Sequence, residues 1–244
     1  MNREGAHRRS FAKARQVVSV LAAERRAPEL ATRVRDEGLT RLRKDALADL
    51  HEAVQRVDRE QVPGVLIEAG TARGGSAIVM AGAKQPEREL HVYDTFGLIP
   101  PPTDADGEDV HERYKVIESG EATDKDGRQY YGYVENLKDV VAGSFAEMGY
   151  PLETSAVTFH EGLFEDTLHP DGPVAVAHLD GDWYQSLIVC LERIEPVLSP
   201  GGVLVIDDYE AWSGAQRAVD DFLARPEVTL EPVWKSRLHL VKPR

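Results

Sequence analysis

The segment Leu66-Ile-Glu-Ala-Gly-Thr-Ala-Arg-Gly-Gly-Ser76 reads as a buried strand turning into a helix. An apolar run, Val65 to Ile67, ends in an acid. Glycines and small hydroxyl residues then lead into the apolar, helix-like segment Ala77 to Ala83. Glycine permits positive φ and close backbone approach, and a helix N-terminus offers unpaired N–H groups. Glu68, at the end of the strand, is expected to aim its carboxylate into the space a small, nucleotide-like ligand would fill. Glycine turns of this kind are common, so the rest of the chain must supply the specificity.

Working outward, the same grammar repeats. Leu90-His-Val-Tyr-Asp94 is a second strand ending in an acid, placed where dinucleotide-type folds bind ribose hydroxyls, with a turn cap as the alternative. Ala156 to Glu161 is a third strand followed by Gly162, and Val174 to Asp180 is a fourth, apolar enough to be central. Trp183 to Leu198 carries Leu187, Cys190, Leu191 and Ile194 on one helical face. Ser199-Pro-Gly-Gly is expected to end that helix before a fifth strand, Gly202 to Ile206, which runs into Asp207-Asp208. Helices are predicted over Asp45–Val57, Leu137–Met148 and Ser213–Leu223. A closing hairpin is predicted from Val228–Trp234 and Arg237–Val241. Five β/α alternations with no internal repeat predict one doubly wound α/β sheet. Residues 1–60 read as a helical N-terminal extension, a substrate lid or oligomer contact with a plain packing helix as an equal alternative, and with basic and partly mobile residues 1–16 at its start. Residues 61–244 read as the main domain.

Between Phe96 and Asn136 the chain turns polar and acidic, with tyrosines at 114, 130, 131 and 133. A connection this long inside a compact domain is functional or disordered. Its place after a strand end favours a lid, with a solvated surface insertion as the alternative.

Bulk properties narrow the partners. The chain has 244 residues, is 42% hydrophobic and carries a net charge of −13. That charge repels a nucleic-acid backbone. No apolar run approaches the roughly 20 residues needed to span a bilayer. The N-terminal arginines lack the apolar region of a secretory signal. A cytoplasmic protein is the expectation. The lone cysteine, Cys190, reads as a buried core thiol.

The acids carry the chemistry. Ligands of open α/β sheets bind beyond the carboxyl ends of the strands. Those ends hold Glu68, Asp94, Glu161, Asp180 with Asp182, and Asp207 with Asp208. Asp180, Asp182, Asp207 and Asp208 should cluster if the fourth and fifth strands adjoin. Carboxylates so close resist joint ionisation unless a cation lies among them, and an all-oxygen set suits a hard ion such as Mg²⁺. His178 and His160 lie inside strands and are expected to pack rather than ligate. No Ser-His-Asp or Cys-His arrangement and no GKS/T loop stands out.

Glu68-Ala-Gly-Thr-Ala-Arg-Gly-Gly-Ser76, Asp94-Thr-Phe-Gly97, Glu161-Gly-Leu-Phe-Glu-Asp-Thr-Leu168, Leu179-Asp-Gly-Asp-Trp-Tyr184, and Pro200-Gly-Gly followed by Asp207-Asp208-Tyr209 together resemble the macrocin-type sugar O-methyltransferases. Rhamnose methyltransferases of the calicheamicin type are a similar group. The resemblance covers residues 60 to 242. It implies a Rossmann-like class I methyltransferase sheet, mostly parallel with a terminal antiparallel strand. It also implies S-adenosylmethionine and Mg²⁺ as cofactors, a glycosylated natural product as acceptor, and a homo-oligomer. Position by position, Asp180, Asp207 and Asp208 would hold the metal and Asp182 would be the general base. Glu68, Gly70, Thr71 and Ser76 would surround the methionine end of the cofactor, with Asp180 at the border between cofactor and metal. Asp94 would bind the ribose and Gly162 would lie near the adenine. The rival readings are a catechol-type methyltransferase, a nicotinamide-dependent oxidoreductase, and an inert binding subunit. The glycine turn departs from G-x-G-x-x-G, which disfavours the oxidoreductase.

Overall fold

A computed structural model describes residues 28–124 and 127–244. The basic segment 1–16 lies outside the described residues. Seven strands form one sheet in the order β3-β2-β1-β4-β5-β7-β6. They are β1 (Val65–Ala69), β2 (Leu90–Asp94), β3 (Val157–Glu161), β4 (Val174–Leu179), β5 (Leu198–Ile206), β6 (Glu231–Trp234) and β7 (Leu238–Val241). The first five are parallel, and β7 pairs antiparallel with both β5 and β6. Strand β1 lies between β2 and β4, so the order reverses there and a crevice opens beyond the strand ends.

Period-two alternation explains why both faces are apolar. Leu66, Val92, Val176 and Val205 face α2 (Lys44–Arg59), α3 (Gly75–Ala83) and α5 (Leu137–Glu147) through Leu47, Leu50, Ile78 and Phe145. Ile67, Ala177, Leu204 and Leu240 face α7 (Tyr184–Ile194) and α8 (Ser213–Leu223) through Leu187, Leu191, Val219 and Phe222. Cys190 is buried in that second layer, as expected. The helices α1 (Glu29–Asp36) and α2 bury Val34, Leu47 and Leu50 in the same core as α3, so this part of the N-terminal region is packed onto the sheet. Among the described residues, no helix is long and apolar enough to cross a membrane.

One local expectation needs correction. Ser199-Pro-Gly-Gly does not end a helix. Helix α7 stops at Ile194, a 3₁₀ turn spans Glu195–Val197, and β5 already begins at Leu198. Between the pairs Val174↔Leu198 and Val176↔Val203 the register jumps, so Ser199 to Gly202 form a bulge within the strand. Glycine suits that bend, and Gly201 takes φ +81.

The polar segment after β2 is also more ordered than its composition suggests. It contains α4 (Glu108–Glu118) and a 3₁₀ turn, Tyr131–Tyr133. Val110, Ile117, Ala122 and Tyr130 enclose Trp183 in a small core of their own. Acids tie the segment down by capping other helices. Asp106 accepts the Tyr184 N–H at 2.8 Å, and Asp109 accepts the Ser213 N–H at 3.0 Å, at the starts of α7 and α8. Helix N-termini favour such carboxylates.

Candidate active site

The site begins at the turn after β1. Gly70 has φ +88, and a Cβ there would sit 2.0 Å from the Asp180 carbonyl oxygen, so only glycine lets the ends of β1 and β4 approach this closely. Asp94 holds the turn in shape. Its Oδ2 accepts N–H bonds from Thr71 (2.6 Å) and Ala72 (3.2 Å), and its Oδ1 accepts one from Phe96 (2.7 Å). Burial raises its pKa against the pull of these three bonds.

Glu68 does not point where its sequence position suggests. It is fully buried, its Oε1 accepts the Ser76 hydroxyl, and its Oε2 meets His178 Nδ1 at 3.0 Å. A side chain with no accessible surface touches no ligand in the crevice. Its carboxylate raises the His178 pKa against the opposing effect of burial. Glu68 therefore braces Ser76 and β4 from inside the sheet.

The strand ends bring four acids together. The Asp180 N–H bonds to Ala69 O at 2.9 Å and the Asp207 N–H to Leu179 O at 3.0 Å, so β1, β4 and β5 end in step. Carboxylate oxygens of Asp180, Asp207 and Asp208 all lie within 4.8 Å of one another. Burial, followed by mutual repulsion, lifts Asp180 and Asp208 well above the usual carboxylate range. The Arg237 guanidinium pairs with Asp207, and Asp208 Oδ2 is buried without a hydrogen-bond partner. Asp182, held at φ +52, accepts the Trp212 indole N–H at 2.8 Å. Burial raises its pKa to about 6; the Trp212 bond, Arg41 and Arg113 oppose the rise, and Asp207 adds to it.

Two cavities meet at these residues. The smaller runs past Gly70, Thr95, Gly162, Phe164 and Ser186. The larger, about 490 Å³, is lined among others by Thr71, Ser76, Asp207, Asp208 and Trp212. They share Gly70, Asp94, Tyr131, Asp180 and Asp182, so a ligand in one faces a ligand in the other across the acids.

A family model described as macrocin-O-methyltransferase (TylF) matches residues 6–235. The chain belongs to this family. The macrocin-type protein is 35% identical over 187 residues to the 8-demethyl-8-(2,3-dimethoxy-alpha-L-rhamnosyl)-tetracenomycin-C 4'-O-methyltransferase of Streptomyces olivaceus, covering 73% of this chain and 65% of that relative. It is 31% identical to the demethyldecarbamoylnovobiocin O-methyltransferase of Streptomyces niveus, covering 78% of this chain and 70% of the relative. Among solved structures, the O-methyltransferase NovP superposes with a TM-score of 0.67 at 26% identity, covering 81% of this chain and 79% of that one. The calicheamicin methyltransferase CalS11 shares the fold, with a TM-score of 0.58 at 19% identity and 91% of each chain covered. The macrocin-type sheet thus matches the expected Rossmann-like class, with its antiparallel strand at the expected end.

Of the residues singled out in the sequence of this macrocin-type protein, Asp180, Asp182, Asp207 and Asp208 converge, and Gly70, Thr71, Ser76, Asp94 and Gly162 line the cavities. Glu68 does not line them. Glu161 ends the edge strand β3, lines neither cavity and pairs with Lys138 at 3.1 Å. His160 bonds His91 at 2.9 Å. The sequence reading missed Trp212, Arg237, Tyr130, Arg41 and Arg113. Arg41 sits in the arginine-rich extension and Tyr130 in the tyrosine cluster, but no spacing ties any of the five to the acids.

Proposed function

We propose that the protein is an S-adenosylmethionine- and Mg²⁺-dependent O-methyltransferase acting on a sugar hydroxyl, with Asp182 as general base. The observation that carries this reading is the triad Asp180, Asp207 and Asp208 beside Asp182, at the junction of two cavities. The donor set fits a hard divalent cation: all ligand atoms are oxygens, their charges repel, and Asp208 Oδ2 has no other partner. The smaller cavity fits the nucleoside end of the cofactor, because Gly70 leaves the backbone bare where strands β1 and β4 part. When bound, the cation lowers the pKa of a coordinated hydroxyl, and the cofactor brings a sulfonium-activated methyl group.

The protein's own residues do the rest. Asp182 would take the hydroxyl proton, because its carboxylate borders both cavities beside the proposed cation site. Trp212 fixes one of its oxygens and leaves the other for the acceptor. Asp94 freezes the glycine turn, and Trp183 and Tyr131 wall the junction against water. Holding the acceptor oxygen in line with the methyl carbon accounts for much of the remaining acceleration. The two Streptomyces relatives bear the names of O-methyltransferases of glycosylated antibiotics, which supports an acceptor of similar kind.

Calorimetric titration with S-adenosylhomocysteine, run beside NADH, tests the cofactor; NADH binding alone would overturn the reading. Asp182→Asn should keep S-adenosylhomocysteine binding while turnover falls by about 10²–10⁴-fold, the usual contribution of a general base. Near-normal turnover would remove Asp182 from that role.

A further inference from the structure

One wall of the smaller cavity is a short segment, Gly162, Leu163, Phe164 and Glu165. Its second half belongs to a single helical turn, α6 (Phe164–Thr167), and Leu163 before it is exposed. One turn of four residues has no stability of its own, because nucleating a helix costs more than so few hydrogen bonds return. Its carbonyls, like those at any helix end, need partners from outside. Arg193 supplies them. Its Nη1 donates to the Phe164 carbonyl (2.6 Å) and the Leu168 carbonyl (3.2 Å), and its Nη2 donates to the Glu165 carbonyl (2.7 Å). His169 Nε2 lies 3.4 Å from the same Nη1.

Charge pairing does not explain this placement. The chain has 42 acids against 29 lysines and arginines, so a guanidinium has abundant carboxylates to meet. Among the described residues, Arg193 has none within salt-bridge reach. Glu192 and Glu195, beside it in sequence, pair instead with Arg225 (2.6 Å) and Lys242 (3.4 Å). Arg88 makes a similar clamp at the opposite ends of the strands, on the carbonyls of Val62 and Gly64, but it has Asp58 as counter-charge at 2.5 Å. A cation whose donors go to the carbonyls of one short segment is a tether for that segment, and the planar fork of arginine suits several carbonyls at once. Arg193 also follows Ser186 by seven residues on α7, which puts both on one helical face about two turns apart. Ser186 lines the same cavity. Helix α7 therefore shapes the cavity directly at Ser186 and from behind at Arg193.

We infer that Arg193 is a positioning residue for the cofactor: by bonding the carbonyls of Phe164, Glu165 and Leu168, it holds the wall against which the nucleoside of S-adenosylmethionine lies. This rests on the methyltransferase reading above, which puts that nucleoside in the smaller cavity. Arg193 itself touches neither cofactor nor acceptor. Without its guanidinium the turn loses its tether and the wall its shape, so the loss falls on affinity for the nucleoside.

The test is calorimetry with S-adenosylhomocysteine and 5′-methylthioadenosine, which share the nucleoside while only the first carries the amino-acid end. Each variant is titrated well below its own Tm. Arg193→Ala should weaken both ligands by a similar factor, about tenfold or more. Arg193→Lys, whose single ammonium cannot bridge all three carbonyls, should recover part of the loss. Arg88→Ala, which removes the other clamp, should lower Tm and leave both affinities unchanged. Unchanged affinities in Arg193→Ala would overturn the inference, whatever happened to Tm. So would a loss for S-adenosylhomocysteine that 5′-methylthioadenosine does not share, since that places the effect at the amino-acid end. An equal loss in Arg88→Ala would overturn it too, as general loosening. If Arg193→Ala does not fold, Arg193→Lys decides: a joint weakening supports the inference, and wild-type affinity for both ligands overturns it. A wild-type protein that binds neither ligand would overturn the methyltransferase reading and the inference with it, whereas tight wild-type binding that ignores Arg193 removes the inference alone.

Discussion

Replacing Gly70 by alanine would test whether the crevice depends on the bare backbone between β1 and β4. The perturbation has two parts. At φ +88 an L-residue is strained, by about 1–2 kcal/mol. The new Cβ would also lie 2.0 Å from the Asp180 carbonyl oxygen, more than 1 Å inside ordinary contact at 3.4 Å. The obstacle is backbone, so one strand end must move, and overpacking of this kind costs about 1–3 kcal/mol. The sum is about 2–5 kcal/mol, measurable by urea denaturation. Gly149→Ala is the internal control: φ is +95 there, yet nothing lies within 4 Å of its Cβ, so only the strain of about 1–2 kcal/mol remains. Because the forced shift carries Asp180 with it, turnover in the surviving folded protein should fall by about 10²-fold, the usual effect of an ångström-scale misplacement. Equal stability losses in the two variants, with Gly70→Ala keeping normal turnover, would refute the argument that this close approach builds the site.

Other expected outcomes concern the acids and the buried histidines. Mg²⁺ at about 100 times its Kd should stabilise the protein by about 2.7 kcal/mol, a rise of roughly 5–10 °C in Tm. Asp208→Asn should abolish that rise without lowering the cation-free Tm, because it removes one of the repelling charges; an undiminished rise would place the cation elsewhere. His239 is buried, its Nε2 has no partner, and burial lowers its pKa to about 3. The folded state therefore resists protonation, and stability is lost as pH falls below about 6.5, by about 2 kcal/mol at pH 5. His239→Leu should flatten the stability difference between pH 8 and pH 5 by that amount, and parallel profiles would exclude His239 as the source. Glu68→Gln removes the charge partner of a buried histidine and should cost about 3–5 kcal/mol. In urea-free buffer the same variant should bind S-adenosylhomocysteine within about tenfold of wild type, since Glu68 lines neither cavity; the reverse pattern would return Glu68 to the cofactor.

The two halves of the site differ in how far they could be read from sequence, and the reason is topological. Asp180, Asp207 and Asp208 each follow directly on an apolar strand, and in a doubly wound sheet the strand ends converge by rule. Their clustering therefore follows from strand order alone. Glu68 obeys the same rule in sequence and departs from it in space: it is the fourth residue of β1, one position short of the strand's end, so the pleat turns it toward His178 rather than the crevice. The bulge at Ser199–Gly202 escaped notice because Pro-Gly-Gly marks a turn locally, while the strand continues through pairing to β4 and β7, which are distant in sequence. The arginines that line the larger cavity were illegible for a stronger form of the same reason. Arg35, Arg41, Arg73 and Arg113 come from four elements with no common spacing, and they meet only because α1 packs on α3 while Asp106 and Asp109 pin the segment after β2 onto α7 and α8. A cluster of acids at the strand ends can be inherited from the strand order of a fold. What walls the cavity above it depends on which loops the fold brings over that point, and here those loops bring arginine.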